Sequence, residues 1–148
     1  MIKIGFTGTK EGMKAEQLQV LEKVLLNMRK ASDFLEFHHG DCKGSDFQSH
    51  SLAFNLGFKI VVHPPKNPKD RAFCKGHEIR GEKDYLVRNH DIVDECDYLI
   101  VVPKSRKEEL RSGTWATYRY AKKRNKNCTI IFPKEGEDGI RESKEINT

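Results

Sequence analysis

The chain has 148 residues with 27 Lys and Arg against 22 Asp and Glu, a formal charge of +5. That length suits one domain with one sizeable core and is too short for two. No apolar run approaches the roughly 18 residues that a membrane span needs, and the N-terminus reads as a strand and not as a secretion signal, so a cytoplasmic protein is expected.

Residues 1–7 form a nearly continuous apolar run, the pattern of a strand buried on both faces. A helix follows over about 13–31, with Leu18, Leu21, Val24, Leu25 and Met28 on one face at a period near 3.6. Residues 33–38 read as a second, weaker strand. Ser45 and Gln48 have capping-box spacing ahead of a helix that runs to about Leu56 and is stopped by Gly57. Residues 59–63 are a third strand, ended by Pro64 and Pro65.

Residues 64–81 hold three prolines and two glycines among many charges. They are expected to be a long loop over the ligand edge of the sheet, with the length of a lid. A helix over 82–96 would place Leu86, Asn89, Ile92, Val93 and Cys96 on its apolar face. Residues 98–102 are the most apolar strand, 114–124 a helix and 128–132 the last strand before Pro133. Five strands alternating with helices or crossovers predict an α/β domain over residues 1–133: Rossmann-like, doubly wound, mainly parallel, with strand order 3-2-1-4-5. Residues 134–148 are charged and Gly-containing, and a mobile tail is expected there. They sum to −2 and leave +7 on residues 1–133. A basic domain favours an anionic partner, either nucleotide phosphates or a nucleic-acid backbone, unless the charge serves solubility alone.

In that strand order the ligand crevice lies outside the carboxyl ends of the first and fourth strands. Two glycine-bearing turns fall on this edge, residues 40–46 with Gly40, Asp41, Gly44, Ser45 and Asp46, and residues 112–114, Ser112, Gly113 and Thr114. A turn that opens a helix offers unpaired N–H groups and the positive end of the helix dipole, which suits a phosphate. Thr7, Gly8 and Thr9 end the first strand on the same edge. The spacing Gly5-x-Thr7-Gly8 matches neither the dinucleotide-binding Gly-x-Gly-x-x-Gly pattern nor a P-loop.

Three stretches in order, Gly44-x-Asp46-x3-His50-x2-Ala53, Arg88-Asn89-x2-Ile92 with Asp97 opening a strand, and Ser112-Gly113-Thr114-x2-Thr117-x3-Ala121, together resemble the Rossmann-like core of the SLOG superfamily. That superfamily includes DprA, the LOG-type phosphoribohydrolases and small YspA-like proteins, and the resemblance spans residue 2 to about 133. It implies a site for a nucleotide or a nucleotide-derived ligand, for single-stranded DNA in DprA, frequently on a homodimer. The LOG signature Gly-Gly-x-Gly-Thr-x-x-Glu is not reproduced. Thr117 stands where its catalytic glutamate would be, and Glu108 and Glu109 lie across the turn. The domains that usually flank the DprA core are not expected either.

The candidate ligand residues are therefore Thr7, Gly8, Thr9, Gly40, Asp41, Gly44, Ser45, Asp46, Arg88, Asn89, Ser112, Gly113 and Thr114. Asp41 or Asp46 would accept from a ribose hydroxyl or a base amine, or serve structure alone. Arg88 would hold the anion or pair with a surface acid. Asn89, on an apolar face, would need partners and is expected to brace a neighbouring loop. Trp115 and Tyr118 share a helix face and offer a dimer contact, a stacking platform for a base, or packing under a loop.

His38, His39 and His63, with Cys74 and His77, make an incomplete ligand set, so no metal is expected, and no cofactor. Cys42, Cys74, Cys96 and Cys128 form no Cys-x-x-Cys pair and read as reduced structural thiols. Three functions follow: a nucleotide sensor, carrier or sequestering protein; an N-glycosidic hydrolase acting on a nucleoside 5'-monophosphate, with no catalytic residue assigned; and a single-stranded nucleic-acid binder.

Overall fold

A computed structural model describes residues 1–134; the expected mobile tail lies outside the described residues apart from Lys134. Among the described residues six strands and four α-helices follow one another: β1 (Ile2–Gly8), α1 (Ala15–Ala31), β2 (Leu35–His39), α2 (Ser45–Asn55), β3 (Lys59–Val62), β4 (Glu78–Ile79), α3 (Tyr85–Glu95), β5 (Tyr98–Val102), α4 (Gly113–Lys123) and β6 (Asn127–Ile130). The strands form one parallel sheet in the order β4-β3-β2-β1-β5-β6. The α/β class and the parallel sheet are as expected. The strand count and the order are corrected, because a sixth strand, β4, lies at the edge beside β3.

The sheet buries both faces, which is why its central strands carry apolar residues in succession. Ile4, Phe6, Phe37, Ile60, Ile100 and Val102 pack with Leu21 and Leu25 of α1 and Ala53 of α2. Leu99, Val101 and Ile130 pack on the opposite side with Ile92 and Val93 of α3 and Trp115 and Ala121 of α4. Trp115 is thus core, 4% exposed, with its ring edge-on to Tyr118, and no exposed stacking platform. Leu86, expected inside, is 61% exposed, while Arg88 of the same helix is 5% exposed. The interior face of α3 is therefore rotated from the one its apolar spacing suggests.

Loop 64–81 is fastened down and does not stand as a free lid. Asp41 binds it from below: its carboxylate accepts from the Cys74 amide at 2.8 Å and from Arg71 Nε at 2.9 Å, and its carbonyl accepts from the Ala72 amide at 2.8 Å. The Lys43 amide donates to Asp70 O at 3.0 Å, and the chain bridges antiparallel between Cys42 and Arg71.

The start of α2 also departs from the local signal. Ser45 does not cap the helix; its hydroxyl donates to Thr9 O at 2.5 Å, and Gln48 Oε1 accepts from the Met13 amide at 2.7 Å. Gly44 is the N-cap instead, with φ 90° and ψ −125°, a conformation that side chains rarely adopt. A Cβ there would run into Lys10 O. Gly44→Ala is expected to destabilise the fold by about 2 kcal/mol or more, read as a lower urea midpoint at an unchanged slope.

Candidate functional site

The carboxyl ends of β1, β2 and β5 open onto a cleft of about 540 Å³. Four segments line it: Gly8, Thr9, Lys10 and Glu11 after β1; Cys42 and Asp46 around the start of α2; Tyr85, Arg88 and Asn89 on α3; and Lys104, Glu109 and Arg111 to Thr114 between β5 and α4. This is the crevice that strand order assigns to ligands in an open α/β sheet. Gly8, Thr9, Asp46, Arg88, Asn89, Ser112, Gly113 and Thr114 are the candidates it brings together.

The remaining candidates do not line the cleft. Thr7 is buried. Gly40 faces the guanidinium of Arg88, Gly44 backs onto Lys10, and the Ser45 hydroxyl is spent on Thr9. Asp41, in the left-handed region with φ 56°, holds the 64–81 loop. Lys10, Glu11, Cys42, Tyr85, Lys104, Glu109 and Arg111 also line the cleft and are not among the ligand candidates, although Cys42 lies in the first turn and Glu109 beside the second. A usable signal existed for Lys10, Lys104 and Arg111, which are cations in the segments leaving β1 and β5.

The two glycine corners meet at one cleft but are not alike. Around residues 40–46 four amides already have protein acceptors: Asp41 N–H donates to His39 Nδ1 at 2.9 Å, Cys42 N–H to Asp46 Oδ2 at 3.1 Å, Lys43 N–H to Asp70 O at 3.0 Å and Ser45 N–H to Thr9 O at 3.2 Å. This corrects the expected backbone cradle there: the side chain of Asp46 fills the position an external anion would take. At the start of α4, Ser112 Oγ caps the helix by accepting from the Trp115 amide at 3.2 Å, and the Ser112 amide donates to Glu109 O at 3.3 Å. Among the described residues the amides of Gly113 and Thr114 meet no protein acceptor. A Cβ at Gly113 would meet nothing within 4 Å. This corner is open.

Charge around the cleft follows from burial. Arg88 donates from Nη1 to Gly40 O and, at 3.1 Å, to His63 O, and from Nε to Asn89 Oδ1 at 2.7 Å. Its role in the structure is therefore internal, with Nη2 left beside Cys42 Sγ at 3.7 Å. Asn89 orients that guanidinium and does not brace a loop. Burial pushes the Asp46 carboxyl up to about 6, against the pull of Arg88 and of the Cys42 and Gly40 amides. Burial and then Asp46 push the Cys42 thiol up, so it is a poor nucleophile at neutral pH. Burial lowers Lys10, but the Tyr85 hydroxyl, Cys42 and Asp70 outweigh it and hold the ammonium above its ordinary value. Lys10 Nζ stands 4.0 Å from the centre of the Tyr85 ring. Lys104 pairs with Glu11 at 3.3 Å, whereas Arg111 has no acid partner among the described residues.

No protein-family model matches the chain, and no curated protein sequence matches it. Solved structures do share its fold. DNA processing protein A from Streptococcus pneumoniae superposes with a TM-score of 0.70 at 21% identity, over 94% of this chain and 53% of that one. The same protein from Helicobacter pylori, whose structure concerns single-stranded DNA binding, gives 0.64 at 18%, over 92% and 67%. The molybdenum cofactor carrier protein of Chlamydomonas reinhardtii gives 0.57 at 16%, over 86% and 74%. The chain has the fold of DprA, as the resemblance implied, and spans about half the length of the Streptococcus protein.

Asp46 gives the site a pH signature. Its folded pKa, about 6, lies above the ordinary value of 3.8, so between those values the folded state holds a proton that the unfolded chain has released. Its contribution to stability is thus present at low pH and lost as pH rises through 6. Relative to wild type, Asp46→Asn is expected to gain about 1 kcal/mol in moving from pH 5 to pH 7, measured by urea denaturation at both pH values.

Proposed function

We propose that this protein binds a nucleotide or a nucleotide-derived ligand in the cleft at the carboxyl edge of the sheet, as a sensor, carrier or sequestering protein. The observation that carries this reading is the pair of unpartnered amides at Gly113 and Thr114, which open onto the cleft at the positive end of α4. A phosphate there would accept both N–H groups, with Arg111 and Lys10 neutralising its charge. The ring of Tyr85 would flank the base or sugar.

Binding is favoured over N-glycosidic cleavage by the residue at position 117. Thr117 stands where the resemblance places a catalytic glutamate, and its hydroxyl donates to Gly113 O at 2.8 Å. The acids that do line the cleft, Glu11, Asp46 and Glu109, lie outside α4. Single-stranded DNA is the second reading, favoured by the +7 on residues 1–133 and by the fold shared with the DNA-binding Helicobacter protein. We also infer a homodimer, as the resemblance implies, and a cytoplasmic location.

A panel of nucleoside 5'-monophosphates, the matching nucleosides and short single-stranded oligonucleotides, titrated by calorimetry at several salt concentrations, tests the proposal. A monophosphate should bind at least about tenfold more tightly than its nucleoside, the worth of one or two charge-assisted hydrogen bonds. Gly113→Pro, which removes one of the two donors at the first helical position where proline is tolerated, should erase most of that difference with little change in stability. Equal affinity for nucleoside and nucleotide would contradict the reading, and a steep loss of oligonucleotide affinity with salt would favour the second one.

A further inference from the structure

Away from the cleft, on the α3 side of the sheet, a second group of polar side chains converges. His38 on β2 and His63 just past β3 lie on parallel neighbouring strands and bring His38 Nδ1 to 2.9 Å from His63 Nε2. Glu95, the last residue of α3, places Oε1 3.9 Å from the same His38 Nδ1. The three ligand atoms all lie within 4.8 Å of one another. Both imidazoles are buried, and Glu95 is half-buried and gives the group an edge on solvent.

The far side of the His38 ring fixes its tautomer. Nε2 lies 2.9 Å from Glu36 Oε1, an acceptor, so Nε2 carries the proton. Nδ1 is then the acceptor of His63 Nε2–H at 2.9 Å, and both atoms offer lone pairs to an ion once the His63 proton sits on its own Nδ1. Ligand atoms on one tetrahedral zinc ion at roughly 2.0–2.2 Å stand about 3.3–3.6 Å apart, between the 2.9 Å and 3.9 Å seen here. A carboxylate that orients a ligating histidine from behind is the usual outer partner of such a ligand.

We propose that His38, His63 and Glu95 form a binding site for a divalent transition-metal ion of the zinc class, with Glu36 holding the His38 ring. Two imidazoles and one carboxylate suit a borderline cation, and they leave coordination positions for water. The competitor is Arg80. Its Nη2 donates to Glu95 Oε1 at 2.7 Å, and its Nη1 keeps Glu78 at 2.6 Å when Glu95 is released to the ion. An ion there would tie β2 and β3 to α3. It would brace the strand end whose carbonyl, His63 O, receives Arg88.

A second cluster, His39, His50 and Cys74, has the ligand types for a metal but the wrong hydrogen bonds. His39 Nδ1 accepts from the Asp41 amide, so its Nε2 carries the proton and donates to His50 Nδ1 at 3.1 Å. Burial and then Asp41 push the Cys74 thiol up to about 12. The pair is a hydrogen-bonded part of the core.

The test is titration of the chelator-stripped full chain with Co²⁺, followed by visible absorption, and displacement by Zn²⁺. Wild type should bind one ion per chain. Glu95→Gln and His63→Gln should each weaken binding by at least about tenfold, Arg80→Ala should strengthen it, and His50→Gln should leave it unchanged. Circular dichroism of Glu95→Gln, a change at a half-exposed site, keeps loss of binding distinct from loss of fold. The proposal is overturned if wild type binds no stoichiometric ion. It is equally overturned if binding survives both Glu95→Gln and His63→Gln, or is lost in His50→Gln.

Discussion

The guanidinium of Arg88 reaches from α3 under the ends of two strands, donating to the carbonyls of Gly40 and His63 with the Asp46 carboxylate close by. It occupies the space that a side chain at residue 40 would need: a Cβ there would come within 2.5 Å of Nη1. A charge this deep is tolerable only when it is hydrogen-bonded and paired. Gly40, Asn89 and Asp46 supply those partners. The chain thus spends one glycine corner on binding its own ions and leaves the other, at the start of α4, for a guest.

This asymmetry orders the rest of the site. Because Asp46 fills the first corner, negative charge already stands at that end of the cleft, while Lys10, Arg111 and the α4 dipole make the other end positive. Asp41, from the same turn, uses both carboxylate oxygens and its carbonyl to hold loop 64–81, so the loop closes over the β2–α2 junction and not over the cleft. A phosphate group therefore has one end of the cleft to occupy, and the rest of a ligand would extend past Tyr85 and Asn89.

What the sequence disclosed follows from where a signal is local. The strands β1 and β5 are nearly unbroken apolar runs, and Ser112-Gly113-Thr114 opens a helix by its own capping chemistry, so these were legible. The strand β4 is two residues long inside a segment rich in Pro and charge, with no periodicity to read. The α3 face was misjudged because arginine is rarely buried; the core takes Arg88 for its hydrogen bonds and leaves Leu86 outside. Ser45 and Gln48 have the spacing of a capping box, yet Thr9 and Met13 claim both side chains from elsewhere in the chain, a choice that local pattern cannot express. The same applies to His38, His63 and Glu95, which meet through the pairing of β2 with β3 and the packing of α3, across 57 residues of sequence between the outermost two.

The central claim is that the two corners differ, one closed by Arg88 and Asp46 and one open at Gly113 and Thr114. Amide chemical shifts of isotopically labelled protein, followed during titration with a nucleoside 5'-monophosphate, test it most directly. The account predicts saturable movement of the Gly113 and Thr114 amides, with the Cys42, Lys43 and Ser45 amides unmoved. Movement of the latter three with Gly113 and Thr114 silent would contradict it.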